Sequence, residues 1–169
     1  MQFTIGQTVV HPYHGLMEVT SIRERQVRGK ARDYVHFSSE MHRLNLAVPV
    51  DELGKVSIRP ISSTEQIEEL LTILRAPTEV FEGGWSRRLK NYQERLSRGQ
   101  IKDTCWVARQ IMRDRPKASA SAEGQLLRNI MVTLSTEFSL ALGVDVDEAE
   151  QLIRTAVFAD QPSELSHAS

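Results

Sequence analysis

The sequence predicts an α+β fold in two parts, a small antiparallel β-barrel at the amino-terminal end followed by an all-helical bundle. The first 60 residues contain short β-branched segments separated by turn residues, whereas residues 61–160 place apolar side chains at helical spacing. The composition, 40% hydrophobic and 25% charged, is that of ordinary globular proteins, so a real core can form.

Five short strands are predicted in the first 60 residues. They cover residues 7–11, 16–27, 34–37, 44–50 and 56–59. Arg28-Gly29-Lys30 is predicted to be a hairpin turn, because Gly29 adopts positive φ at little cost. Five strands in this length indicate a small SH3- or Tudor-like barrel, a scaffold that usually binds a partner and seldom catalyses.

The remaining chain is predicted to be helical. Ser62 and Glu65 have the spacing of a capping box, and Pro77 is predicted to end the first helix near Arg75. The later helices are predicted at residues 85–96, 101–113, 123–142 and 145–158, with Gly99 and Gly143 as stops. The predicted domains are residues 1–60 (barrel), 61–82 (helix and linker), 83–160 (helical domain) and 161–169 (polar tail).

The charge is distributed unevenly along the chain. The formal net charge is −1, yet residues 83–117 carry 10 basic and 3 acidic side chains, a balance of +7. The basic residues are Arg87, Arg88, Lys90, Arg95, Arg98, Lys102, Arg109, Arg113, Arg115 and Lys117. A local excess of this size suits a phosphate-bearing partner, but it also suits a solvated face balanced by the acidic residues that follow.

Several functional classes have little support in the sequence. One cysteine, Cys105, cannot form an internal disulfide, and no apolar run or signal segment suggests a membrane, so we expect a cytoplasmic protein. His11 and His14 lack further metal ligands, and Cys105 is expected to be a buried structural thiol beside the core residue Trp106. No catalytic motif can be assigned, so neither an enzyme nor a cofactor is expected.

Trp85 is the residue whose role the pattern leaves open. Helical spacing places Trp85, Leu89, Tyr92 and Leu96 on one face, which predicts that Trp85 is the first core residue of an amphipathic helix. However, Gly83-Gly84 precedes it and Ser-Arg-Arg-Leu-Lys follows it. Cations beside an exposed aromatic grip a nucleic-acid backbone while the ring stacks on bases.

Two separated sets of motifs resemble one protein family. The first set is Gly6-Gln-Thr-Val-Val-His-Pro-Tyr-His-Gly15 with Val48-Pro49-Val50. The second set is Leu74-Arg-Ala-Pro77, Trp85-Ser-Arg-Arg-Leu-Lys90 and Leu96-Ser-Arg-Gly99. In this order they resemble the CarD/CdnL family of bacterial regulators that bind RNA polymerase.

The resemblance implies a transcription regulator without catalytic activity that contacts promoter DNA while it is bound to RNA polymerase. Its barrel would dock on the polymerase β subunit, and its helical domain would stabilise the open promoter complex with Trp85 as a wedge at the upstream edge of the bubble. The residues implied in polymerase binding are Arg25, Leu46, Val48, Pro49 and Val50. Those implied or proposed in DNA binding are Trp85, Arg87, Arg88, Lys90, Arg109 and Arg113.

Some of these expectations carry open alternatives. Two alternatives stay open for Arg109, Arg113 and Arg115: they extend the DNA-contacting surface, or they only form a solvent-exposed face of their helix. Ala47 stands where some family members have a basic polymerase contact, which puts that contact in doubt. The protein is expected to be a monomer that binds promoter DNA weakly. Two other functions are alternatives to stabilising the open complex. One is a polymerase-docking module with another role, such as repair coupling, and the other is a stand-alone DNA-binding repressor.

Overall fold

A computed structural model describes residues 2–114 and 121–159. The basic residues Arg115 and Lys117 and the predicted polar tail, 161–169, lie outside these described residues. Within them the chain folds as predicted, an antiparallel β-sheet followed by helices, and each part has its own hydrophobic core. None of the helices in the described ranges combines the length and apolar character that a membrane crossing requires.

The amino-terminal part is one five-stranded antiparallel sheet. Its strands are β1 (Thr8–His11), β2 (Gly15–Val27), β3 (Lys30–Ser39), β4 (Leu44–Pro49) and β5 (Arg59–Pro60), in the order β4-β3-β2-β1-β5. The predicted hairpin turn is confirmed: Val27 pairs with Lys30, and the two residues between them both have positive φ, as a type I′ turn requires. Inward-facing residues, among them Val19, Val35 and Phe37, form the core.

The predicted strand at 56–59 is wrong in most of its length. A 3-10 turn (Val50–Glu52) leads into a short helix α1 (Leu53–Val56), and only Arg59–Pro60 forms a strand. Arg32 holds this segment by pairing with both Asp51 and Glu52 at 2.9 Å. Ser57 then takes left-handed φ of 58° and reverses the chain. These contacts are non-local, so residue preferences along the segment did not reveal them.

Five longer helices follow. They are α2 (Thr64–Arg75), α3 (Trp85–Ser97), α4 (Ile101–Asp114), α5 (Ala122–Leu142) and α6 (Val146–Phe158). The predicted ends near Arg75, Gly99 and Gly143 are confirmed, and Asp145 caps α6 by accepting a hydrogen bond from the Glu148 amide at 2.8 Å. The predicted capping box is shifted by one residue, because Ser63 and Gln66 form it.

The helical core is built from residues of all five long helices, with Leu74, Tyr92, Ile111, Phe138 and Ile153 fully buried. Because the apolar stripe of α2 faces this core, α2 packs with the helical part and not with the sheet. The predicted domain limits remain a prediction. The sheet meets the helical part at the amino-terminal turn after β1, at α5 and at the end of α3.

Candidate nucleic-acid interface

Trp85 is the first residue of α3 and its side chain is 61% exposed. The helical stripe that continues from it enters the core: Tyr92 is fully buried, and Leu89 and Leu96 are half-buried. Helical side chains lean toward the helix amino terminus, so a residue in the first position covers the segment before the helix. In this protein that segment ends in Gly83-Gly84, which offers no side chain for the indole to pack against. The structure therefore does not confirm the prediction that Trp85 is a core residue.

Two exposed cations follow Trp85 in the first two turns of α3. Arg87 and Lys90 are exposed, and within the described residues neither forms an ion pair. They line a shallow surface depression together with Phe81 and Asn91, and its lining also includes Glu82 and Glu94. No side chain caps the amino terminus of α3, so its first N–H groups point outward near the indole. The exposed indole, the two cations and this helix terminus form the candidate interface.

Arg88 points away from this surface. Its Nε donates to Oε1 of the buried carboxylate of Glu123 at 2.8 Å, and that contact raises the pKa of Arg88. The pair joins α3 to α5 inside the helical part. Arg88 therefore stabilises the helix that bears Trp85 through this buried ion pair.

The other two predicted DNA-contacting arginines lie on the inner side of α4. Arg109 is only 2% exposed, its Nη1 donates to the Ile73 carbonyl at 2.8 Å, and burial lowers its pKa. Arg113 donates to carbonyls at the end of α2, including those of Leu74 and Arg75, and to the Val157 carbonyl near the end of α6. The last carbonyls of a helix have no partner within it and attract cations. Both guanidiniums are engaged by backbone carbonyls, unlike those of the exposed cations of α3, and a DNA contact by either arginine stays a prediction.

The spacing of charges did not reveal Gln110, which organises the loop before α3. Its side chain is buried and bonds to both the amide and the carbonyl of Glu79, in the segment that joins α2 to α3. Thr78 in the same loop accepts a bond from Arg113. No signal in the sequence pointed to this role, because a glutamine in a basic amphipathic helix reads as a solvated residue.

Four of the five residues implied in polymerase binding lie on one edge strand of the sheet or directly after it. β4 is an edge strand, and within the described residues its outer edge pairs with no other strand. Leu46 and Val48 pack against the barrel core, whereas Ala47 between them is exposed. Pro49 ends the strand, and Val50 begins the 3-10 turn with an exposed side chain.

Arg25 lies on the neighbouring face of β2. It is exposed, and its guanidinium carbon sits 5.8 Å from the centre of the Tyr34 ring. The opposite edge of the sheet differs, because β5 is only two residues long and Arg59 bonds to the helical part. β4 is thus the longer edge that another chain could extend.

The remaining sequence candidates have structural roles. Cys105 is fully buried, which raises the pKa of its thiol, and Trp106 packs against the helical core. Nδ1 of the buried His11 accepts bonds from the amides of Tyr13 and His14 at 3.1 and 3.3 Å, so it shapes the turn after β1. The described ranges contain no group of three or more side chains able to hold a metal ion.

Comparisons with known proteins agree with this architecture. The family model of the CarD-like/TRCF RID domain matches residues 3–62, and that of the CarD C-terminal domain matches residues 69–154. The chain is 22% identical over 143 residues to "Putative transcription factor YdeB" of Bacillus subtilis (strain 168), spanning 84% of this chain and 94% of that protein. The chain is also similar to the solution NMR structure of the 72-residue N-terminal domain of Myxococcus xanthus CarD, with 25% sequence identity. That match covers 35% of this chain and 79% of the CarD chain, with a TM-score of 0.31.

An antiparallel β-sheet joined to a helical domain, matched in order by these two models, defines a transcription-associated protein that interacts with RNA polymerase. The chain belongs to the CarD family. The members of this family are transcription factors without enzymatic activity.

Proposed function

We propose that this protein docks on the β subunit of RNA polymerase through the edge strand β4 and, as a monomer, stabilises the open promoter complex with Trp85. The observation that carries the proposal is the exposure of Trp85 on a helical stripe whose other members turn inward. A large aromatic held outside the core, at the head of a helix with free cations, is available to a partner.

The indole would act as a wedge at the upstream edge of the melted DNA. Stacking of an aromatic side chain on a base contributes about 1–3 kcal/mol, and at this position melting has already separated the bases. If the contact exists only in the open state, this energy slows bubble collapse by about 5-fold or more.

The cations would hold the DNA backbone without reading its sequence. Arg87 and Lys90 are the two free cations in the first turns of the helix that begins at Trp85, and the uncapped amino terminus of α3 adds N–H donors for a phosphate. Two phosphate contacts give weak, salt-sensitive binding. The protein therefore needs the polymerase to raise its local concentration at the promoter.

The polymerase contact would extend the sheet. A strand of the β subunit adding to the outer edge of β4 gains backbone hydrogen bonds, while Ala47 and Val50 offer exposed side chains to the partner. Arg25 adds a positive charge on the same domain. This arrangement separates the docking surface from the DNA-contacting residues, which lie on the helical part.

The test is Trp85→Ala, scored in two assays on the same preparation. We expect unchanged binding to the polymerase β subunit in a pull-down and an open-complex lifetime shortened by about 5-fold or more. Tyr13→Ala, which removes another exposed aromatic from the barrel, is the matched control and should leave the lifetime unchanged.

An unchanged lifetime with Trp85→Ala, at full polymerase binding, would contradict the wedge and favour a docking module with another role. Tight, site-specific binding to promoter DNA alone in a gel-shift titration would favour a stand-alone repressor. We expect that titration to show weak binding that disappears as salt rises.

A further inference from the structure

We infer that Glu137 is a positioning residue that fixes the barrel against the helix carrying Trp85, so that the two proposed contacts lie at a set distance. This inference rests on the proposed function, because it concerns how one docking surface delivers the other. Glu137 lies on α5 in the helical part, and it is fully buried although it carries a carboxylate.

The carboxylate of Glu137 receives hydrogen bonds from the barrel and from the connection that leaves it. Arg59 of β5 donates twice, from Nη1 to Oε1 at 2.8 Å and from Nη2 to Oε2 at 3.0 Å. Ser62 also donates twice to Oε1, from its backbone amide at 2.9 Å and from its hydroxyl at 2.8 Å. A paired arginine fork fixes direction as well as distance. We call Arg59, Ser62 and Glu137 the interdomain clasp.

Arg59 connects the clasp to the foot of α3. Its Nε donates to the Gly99 carbonyl at 3.3 Å, directly after the helix. Gly99 has φ of +68°, and a Cβ placed there would lie 3.3 Å from side-chain atoms of both Pro12 and Ser57 of the barrel. The segment that follows α3 is therefore packed closely against the turns that contain Pro12 and Ser57.

Among the described residues, no single cluster of buried apolar side chains bridges the two parts. The barrel core and the helical core are separate clusters that share no residue. Two clefts flank the junction. One, of about 450 Å³, lies between β2, the β3–β4 turn and α5, and the other, of about 290 Å³, includes Arg59 and Glu137 in its lining. The clasp supplies polar contacts across this junction.

The length of α3 makes Trp85 sensitive to the clasp. Thirteen helical residues span about 20 Å, so a rotation of about 10° at the foot displaces the first residue by about 3 Å. A displacement of this size is a large part of the distance between stacked rings, about 4.5–7 Å between centroids. A loosened clasp would leave both contact surfaces intact but would seldom present them together, which lowers the effective concentration of Trp85 at the bubble.

The test compares Glu137→Gln with the wild type in two measurements. The first is the distance between two spin labels, by pulsed electron–electron double resonance, and the second is the open-complex lifetime. Spin labels are placed at Glu24→Cys on β2 and Gln93→Cys on α3, both exposed, while Cys105 is buried and stays unlabelled. Glu150→Gln, which breaks the Arg154 ion pair on the surface of α6, is the matched control.

We expect one narrow distance distribution for the wild type and for Glu150→Gln, and a clearly broader one for Glu137→Gln. The lifetime should fall at least about 3-fold with Glu137→Gln while β-subunit binding is unchanged. Arg59→Lys, which keeps the charge but loses the fork, should give an intermediate result in both measurements.

A distribution as narrow as that of the wild type in folded Glu137→Gln would overturn the clasp. If circular dichroism shows that Glu137→Gln is unfolded, Ser62→Ala is measured by the same criteria. The distance measurement needs neither polymerase nor Trp85, so it judges the clasp even if Trp85→Ala leaves the lifetime unchanged and the proposed function fails.

Discussion

The side-chain amide of Gln110 forms two hydrogen bonds with the backbone of Glu79. Its Oε1 accepts from the Glu79 amide at 3.0 Å, and its Nε2 donates to the Glu79 carbonyl at 2.8 Å. Gln110 is 1% exposed, whereas Val80, the next residue of the loop, is 94% exposed. The buried amide therefore anchors the loop at the last point before it leaves the helical core and approaches Trp85.

Gln110→Leu should release this loop. The substitution keeps the volume but removes both partners of Glu79, so we expect the free energy of unfolding to fall by about 1–3 kcal/mol. Amide hydrogen exchange should become faster at residues 79–84. The exposed Gln93→Leu serves as the control in the same helical part, and equal exchange rates in the two variants would contradict the role of Gln110 as a loop anchor.

Substitutions of the exposed cations should change DNA binding, whereas substitutions of the interior cations should change stability. Arg87→Gln and Lys90→Gln should change the free energy of unfolding by no more than about 0.5 kcal/mol. Each should lower the salt dependence of promoter binding in the polymerase complex by about one unit of log K against log salt.

Arg113→Gln should show the reverse pattern. It removes charge-assisted bonds to carbonyls of α2 and α6, so we expect a loss of about 2–3 kcal/mol in chemical denaturation and an unchanged salt slope in the folded protein. A stable Arg113→Gln variant with a reduced slope would return Arg113 to the DNA surface.

His11 should make stability depend on pH. Its pKa is lowered from 6.5, first by burial and second by the neighbouring His14. Because the folded pKa lies below the unfolded one, the unfolded chain binds more protons between them, and the stabilisation present above about pH 6.5 is lost as pH falls. Protonation of Nδ1 also removes the acceptor for the Tyr13 and His14 amides.

His11→Asn retains an acceptor near the Nδ1 position and cannot titrate. Denaturation midpoints measured from pH 7.5 to 5.5 should fall less steeply for this variant than for the wild type. His42→Asn, at an exposed position, should keep the wild-type slope. Identical slopes for His11→Asn and the wild type would contradict this source of acid sensitivity.

Sequence patterns predicted the elements well where local chemistry decides them. Gly29 in the hairpin, Pro77 after α2, Gly99 after α3 and Asp145 before α6 all act through their own backbone or the next turn. The predicted capping box was wrong by one residue because Ser62 bonds to Glu137, 75 positions away. Nothing near Ser62 in the chain signals that partner.

The candidate site was only partly predictable for the same reason. Helical spacing treated Trp85 like Tyr92, but a first-turn side chain has only the preceding glycines beneath it and remains exposed. The basic excess of residues 83–117 suited a phosphate-binding surface and a solvated face equally. Within the described residues much of that charge is satisfied internally, as for Arg88 on Glu123 and Arg95, which stacks on Trp106 at 3.7 Å.

Trp85 should meet DNA only where the duplex is already opening, and site-specific photocrosslinking tests this expectation most directly. Position 85 is replaced by p-benzoylphenylalanine, and crosslinks are mapped on promoter DNA in closed and open polymerase complexes. A variant with p-benzoylphenylalanine in place of Tyr13 on the barrel is the control. We predict crosslinks from position 85 at the upstream edge of the bubble in open complexes only. Crosslinks of equal yield in closed complexes, or none to DNA at all, would contradict the account.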